Sequence, residues 1–178
     1  MTHPVDPALT VVEPTEALRD AYLDFVAEFS AAGEGDIPGS GASLRGDFAA
    51  WIGRLRDHAR GHGLAEGRVP ASTFWLVRDG RVLGCCNLRH RLTPHLREIG
   101  GHVGFSVRPS ERGRGFAKDL LRFALGKARE LGIERVLVTC DQDNVASARV
   151  IRACGGELEA TVRPDGGGSV VERYGLAT

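Results

Sequence analysis

The 178-residue chain lacks any apolar run approaching the roughly 20 residues a membrane span requires. Its opening stretch, MTHPVDPALTVVEPTE, is acidic and carries proline, without the basic-then-apolar pattern of an export signal. Both absences point to the cytoplasm and to no membrane partner. The four cysteines, Cys85, Cys86, Cys140 and Cys154, form no CxxC and are too scattered for a zinc site or a disulfide framework. They read as small hydrophobes, and no metal is expected. Net charge is absent as well, with 23 Lys/Arg against 23 Asp/Glu. Basic segments interleaved with aromatics are missing too, so no nucleic-acid partner is expected. There is no internal repeat and no low-complexity tract. What is present is 42% apolar residues, enough for a core, in a length that suits one domain over residues 1–178.

The balanced charge is unevenly spread. Residues 1–50 hold nine carboxylates against two arginines, and the remainder holds fourteen against twenty-one Lys/Arg. An acidic first half favours a cationic ligand, with Glu34, Asp36 or Asp47 near its path, and a basic second half favours an anion.

Periodicity divides the chain into elements. LTVVE, Leu9 to Glu13, reads as a first strand. The next stretch repeats Ala17, Ala21 and Phe25 with Leu18, Tyr22 and Phe29 at helical spacing, with Thr15 as cap and Gly33 as stop. Gly33 to Ser43 is a Gly-rich loop before a second helix around Leu44 to His58. Two β-rich runs meet at Asp79-Gly80, a hairpin signal. A third run, EIGGHVGFSVRP, ends at Pro109. Phe116 to Leu131 is amphipathic, with Ala117, Leu120, Leu121, Ala124, Ala128 and Leu131 on one face. RVLVTC (Arg135 to Cys140) suits a central strand. NVASARVIRACGG reads as a helix capped by Asn144 and stopped by Gly155. Strands near Glu157 to Val162 and Ser169 to Tyr174 flank the turn-rich RPDGGG. The order makes an α/β domain with a mixed sheet, in which the strand–helix–strand unit from Gly100 to Cys140 is parallel and right-handed. Trp51 and Trp75 are expected in the core.

The chemistry concentrates in RPSERGRGFAKDLL, Arg108 to Leu121. A strand entering a helix through glycines leaves the first-turn N–H groups unpaired and pointing outward, a nest for anions that the helix dipole reinforces. Gly113 and Gly115 allow close approach, and Arg108, Arg112 and Arg114 can supply charge. The stretch contains no G-x-x-x-x-G-K-[ST], and a dinucleotide G-x-G-x-x-G would need glycine where Lys118 stands. Spacing alone leaves two readings, a phosphate nest or a structural turn.

Arg112-Gly113-Arg114-Gly115-Phe116-Ala117 resembles the Q/R-x-x-G-x-G/A acyl-CoA signature of the GCN5-related N-acetyltransferases (GNAT). With DNVASARVI after the following strand, the likeness covers about Thr10 to Leu176. IGGHVGFSVRPSERGRGFAKDLL resembles a bacterial subgroup of predicted acetyltransferases. The resemblance implies a GNAT-like, centrally splayed β-sheet flanked by helices and an enzyme that moves an acetyl group from acetyl-CoA to a primary amine by direct attack. The acceptor would be a small molecule or a peptide, and the protein a monomer or homodimer. The main chain of Phe105, Ser106 and Val107 would meet the acetyl and pantetheine portions. The N–H groups of Arg112, Gly113, Arg114, Gly115, Phe116 and Ala117 would hold the pyrophosphate, and Asn144 would touch the pantetheine arm.

One position departs from the family pattern. Where relatives often carry a tyrosine in the helix after the fifth strand, as proton donor to the departing thiolate, this chain has Ile151. A non-catalytic CoA-binding sensor is the alternative that this departure favours, and a longer acyl donor is a further one. As proton acceptor the sequence offers His102, acting through water, with Glu98 second; Asn87, Arg89, His90 and Tyr174 are further polar candidates.

Overall fold

Asp79 and Gly80 both adopt positive φ, 50° and 73°, the backbone of a tight hairpin turn whose twist matches its strands. The structure, a computed structural model, describes residues 9–34, 37, 47–164 and 167–178. Around the turn, β2 (Ala71–Arg78) pairs antiparallel with β3 (Arg81–Arg89). β1 (Thr10–Val12) adds to β2, and β4 (Val103–Val107) adds to β3. A second sheet holds β5 (Arg135–Asp141), β6 (Glu157–Val162) and β7 (Val171–Ala177) in the order β5-β7-β6. All described ladders are antiparallel. The expected centrally splayed sheet is present as two antiparallel halves set side by side at β4 and β5, which are neighbours through a helical crossover and share no ladder.

Helices cover both faces. After a 3-10 turn at Glu16–Leu18, α1 (Arg19–Ala31) packs with α2 (Phe48–Ala59) on one face of the first sheet. Their core is aromatic: Tyr22 stacks on Trp75 with centroids 4.4 Å apart, and Phe25, Phe29, Phe48 and Trp51 close around them. Trp51 and Trp75 are buried, as the sequence suggests. The opposite face carries α4 (Phe116–Glu130), the crossover helix, and α5 (Val145–Ala153). Leu120, Leu121, Ala124 and Ala128 are fully buried along α4, as its spacing predicts, but Leu131 is the C-cap beyond the last helical residue and lies exposed. Burying each leucine contributes about 1.5–3 kcal/mol, which fixes the N-terminus of α4 against β3 and β4.

Several boundaries moved. Thr15 makes no side-chain cap bond and precedes the 3-10 turn, while Asp47 caps α2 by accepting the Ala49 N–H at 3.1 Å. The expected start of the second helix at Leu44, most of the Gly33–Ser43 loop, and Asp165 and Gly166 of the late turn lie outside the described residues. A short helix, α3 (Pro94–Glu98), was missed. Its signal is local: Thr93 accepts the Leu96 N–H, and Pro94 occupies the first turn, where its missing N–H costs nothing. No helix among the described residues is long and apolar enough to cross a membrane.

Candidate active site

The two sheets are stitched at one point. The His102 N–H donates to the Leu137 carbonyl at 2.7 Å, and the Leu137 N–H donates to His102 Nδ1 at 2.9 Å. Beside this stitch the Gly100 N–H donates to the Thr139 hydroxyl at 3.1 Å. Beyond it the strands part around a cavity of about 1020 Å³. Gly104 to Val107 line one wall and Thr139 to Asp141 another. The Arg108 N–H bonds back to Leu83 in β3. Antiparallel alternation then turns the main-chain groups of Ser106 toward β3 and the N–H groups of Phe105 and Val107 toward the cleft. The Ser106 side chain still borders the cavity.

At the cavity's other end lies the glycine-broken loop. Gly113 and Gly115 have φ of 79° and 91°, with Gly115 as the N-cap of α4. A Cβ on Gly113 would meet nothing within 4 Å, and one on Gly115 only the end of Lys118. The conformation, not the space, demands glycine here. Among the described residues, the N–H groups of Gly113, Arg114, Gly115, Phe116 and Ala117 have no protein acceptor. Five consecutive unpaired donors at a helix N-terminus form an anion cradle.

The arginines expected to charge this cradle are committed elsewhere. Arg108 is 1% exposed and binds Asp24 at 2.8 Å, Glu28 at 2.9 Å and the Val82 carbonyl, clamping α1 to the end of β4. Arg112 forms a two-pronged pair with Glu34 at 2.8 and 2.7 Å, which holds the Glu34 carboxyl below the usual range. Arg114 lies 2.9 Å from Glu111, a buried carboxylate that Arg78 and Arg81 also approach. Positive charge comes instead from Lys118 and Arg149, which border the cavity and have no carboxylate partner among the described residues. The sequence reading missed both. Lys118 carries a signal, being one of only two lysines and lying in the first turn of α4; Arg149, one turn into α5, carries none. The acidic path expected for the acceptor is also altered. Glu34 is paired, Asp47 caps α2, and Asp36 is outside the described residues.

Asn144 lies where the sequence puts it. Its Oδ1 accepts the Ser147 N–H at 3.0 Å, capping α5, and the residue borders the cavity. Ile151 is fully buried in the core, so α5 presents no proton donor at that position. Cys140, on the cavity wall, has its thiol pushed up to about 11 by burial and by Glu172 and Asp141 nearby, so it stays protonated at neutral pH. Tyr174 is buried, its hydroxyl bonded to Glu172 and its pKa raised to about 12 by burial first and that carboxylate second.

The expected base is not brought to the cavity. His102 has Nδ1 occupied by the Leu137 N–H and does not border the open space. Burial, then the charges of Arg97 and Arg89, hold its pKa below the ordinary imidazole value. Glu98, at the end of α3, is exposed and equally outside the cavity wall. Among the other polar candidates, Arg89 donates to the carbonyls of Gly100 and Gly101 at 2.8 and 2.9 Å. Asn87 bonds Thr73 and Ser72, and His90 contacts the Ser72 hydroxyl at 2.9 Å. Arg89 braces the turn leading into β4, while Asn87 and His90 tie the end of β3 to β2.

Residues 11–157 match the family model described as the acetyltransferase (GNAT) domain. The chain belongs to the GNAT family. As a GNAT protein it is an N-acetyltransferase that draws its acetyl group from acetyl-CoA, and the parted strands and glycine cradle fit that donor. Solved structures agree in fold. RimL, a ribosomal L7/L12 α-N-protein acetyltransferase in complex with coenzyme A, shares 20% identity over 98% of this chain and 96% of its own, with a TM-score of 0.66. RimJ of Mycobacterium smegmatis, in complex with CoA-disulfide, shares 20% identity over 95% and 81%, with a TM-score of 0.68. YncA, a putative acetyltransferase from Salmonella typhimurium with acetyl-CoA, shares 16% identity over 96% and 94%, with a TM-score of 0.65. No protein of curated function matches this GNAT chain in sequence.

Proposed function

We propose that this GNAT protein acetylates a primary amine of a small molecule or peptide by direct transfer, with both substrates bound together in the cytoplasm. The carrying observation is the parting of β4 from β5, which leaves the Phe105 and Val107 N–H groups unpaired beside the five-donor cradle. Bound acetyl-CoA supplies a thioester carbonyl within reach of the amine. The cradle from Gly113 to Ala117 receives the pyrophosphate, Lys118 and Arg149 balance its charge, and the free amide of Asn144 meets the pantetheine arm. An N–H from Phe105 or Val107 stabilises negative charge developing on the carbonyl oxygen, a contribution of typically about 10²–10³ in rate for one such donor. Holding both partners in one cavity removes the entropic cost of their encounter. The four free cysteines suit a reducing compartment. A peptide α-amine is supported as one acceptor class by the fold shared with RimL, whose name specifies such a substrate.

His102 stands off the cavity wall, so in this reading the acceptor's proton leaves through water in the open cleft. Ile151 gives weight to a second reading, a CoA-binding sensor, because the departing thiolate finds no hydroxyl at that position of α5. The test is turnover with a panel of amines, measuring released CoA thiol against acetylated product by mass spectrometry. Equal amounts of both, with no acetyl group on the protein, are expected. An acetylated protein intermediate would refute direct transfer, and tight CoA binding with no turnover would establish the sensor.

A further inference from the structure

The face of the second sheet turned away from α4 and α5 carries an unanswered positive charge. On β7, Tyr174 and Leu176 pack in the core that includes α4, so alternation turns Arg173 to the other face. Register sets Arg173 directly opposite Thr139 on β5, and paired Cα atoms lie only about 5 Å apart. Thr139 forms part of the cavity wall and Arg173 does not, so Arg173 sits one strand behind that wall.

Four described arginines are buried or half-buried: Arg78, Arg89, Arg108 and Arg173. Arg78 approaches Glu111, Arg89 binds two carbonyls, and Arg108 binds two carboxylates. Arg173 alone has no partner among the described residues, and its Nε is buried without a hydrogen bond. Nearby acids do not serve it. Glu159 is bound to Arg135 at 2.7 Å, Glu172 lies on the opposite face with Tyr174, and Asp141, diagonal to it, forms no ion pair with it. A buried guanidinium nitrogen left unpaired costs free energy that a planar anion would recover, and a carboxylate matches the guanidinium fork on two prongs. The cradle, Lys118 and Arg149 already answer the donor's phosphates, so the anion belongs to the other substrate.

We infer that Arg173 receives a carboxylate of the acceptor, so that the amine acetylated here carries a carboxylate within a few atoms of its nitrogen. Such a group comes either from a free amino acid or from an acidic residue near a peptide N-terminus. This rests on the acetyl-transfer reading above.

The test compares glycine and aspartate with ethanolamine, and the peptide amide Asp-Ala-Ala with Ala-Ala-Ala, using wild type, Arg173→Gln and Arg173→Lys. For carboxylate-bearing acceptors, Arg173→Gln should raise KM ten- to a hundredfold. Arg173→Lys should recover part of that loss, and affinity for CoA and turnover of amines that lack a carboxylate should not change. Preference for the amino acids identifies the first source, and preference for Asp-Ala-Ala the second. Turnover indifferent to the carboxylate and to Arg173 overturns the inference and leaves acetyl transfer intact. Calorimetry on the CoA-loaded protein with N-acetylglycine against N-methylacetamide gives a readout without catalysis. Arg173-dependent binding of N-acetylglycine supports the anion site even if transfer fails, and equal weak binding of both overturns it.

Discussion

Replacing His102 separates a catalytic histidine from one that joins two sheets. In His102→Ala the main-chain bond from residue 102 to the Leu137 carbonyl survives, but the Leu137 N–H loses its acceptor. Leu137 is 8% exposed, so water cannot fully replace the lost nitrogen. A buried donor stranded in this way costs about 1–3 kcal/mol. For a domain of this size each kcal/mol lowers Tm by about 2–4 °C, so a fall of about 4–8 °C is expected at the middle of that range. His102→Asn offers an amide oxygen near the place of Nδ1 and should recover most of the loss. Because the folded-state pKa lies below the ordinary imidazole value of 6.5, the neutral ring's contribution is complete above about pH 6.5. It is lost as pH falls from there through the folded pKa, since the unfolded chain binds the proton first. Thermal melts from pH 5 to 8, with kcat/KM for any accepted amine, read both effects. If His102→Asn matches wild type in Tm yet loses activity across that pH range, the histidine is a proton acceptor after all. If His102→Ala melts like wild type, the stitch does not hold the sheets.

Two further changes probe the donor side. Gly115→Asp combines a side chain at φ 91° with a negative charge inside the cradle, so CoA affinity should fall at least a hundredfold while Tm drops only a few degrees; unchanged affinity by calorimetry would remove the phosphate assignment. The double substitution Lys118→Ala, Arg149→Ala should weaken CoA about tenfold and flatten the salt dependence of binding, because these two charges have no carboxylate partner among the described residues; a salt dependence equal to that of wild type would return the role to Arg112 and Arg114.

The sequence by itself determined whatever depends on neighbours along the chain. Asp79-Gly80 required a tight turn, Gly113 and Gly115 required positive φ at the mouth of a helix, and the apolar spacing of α4 required one buried face. The acyl-CoA signature was legible for the same reason: its donors are consecutive N–H groups, so the binding feature is contiguous. Thr93-Pro94 also signalled a helix start locally, although α3 is short enough to hide within a strand-like run. Side-chain partners were a different matter. Arg108 meets Asp24 and Glu28, 84 and 80 positions away, Arg112 meets Glu34, and His102 meets Leu137. Nothing in the local pattern separates an arginine aimed at a ligand from one clamped to a distant carboxylate, because both carry the same charge at the same spacing. Only the folded arrangement assigned those charges. It tied Arg108 to α1 and β3, Arg112 to Glu34 and Arg114 to Glu111, turned His102 into a link between sheets, and left Lys118, Arg149 and Arg173 without an ion-pair partner among the described residues.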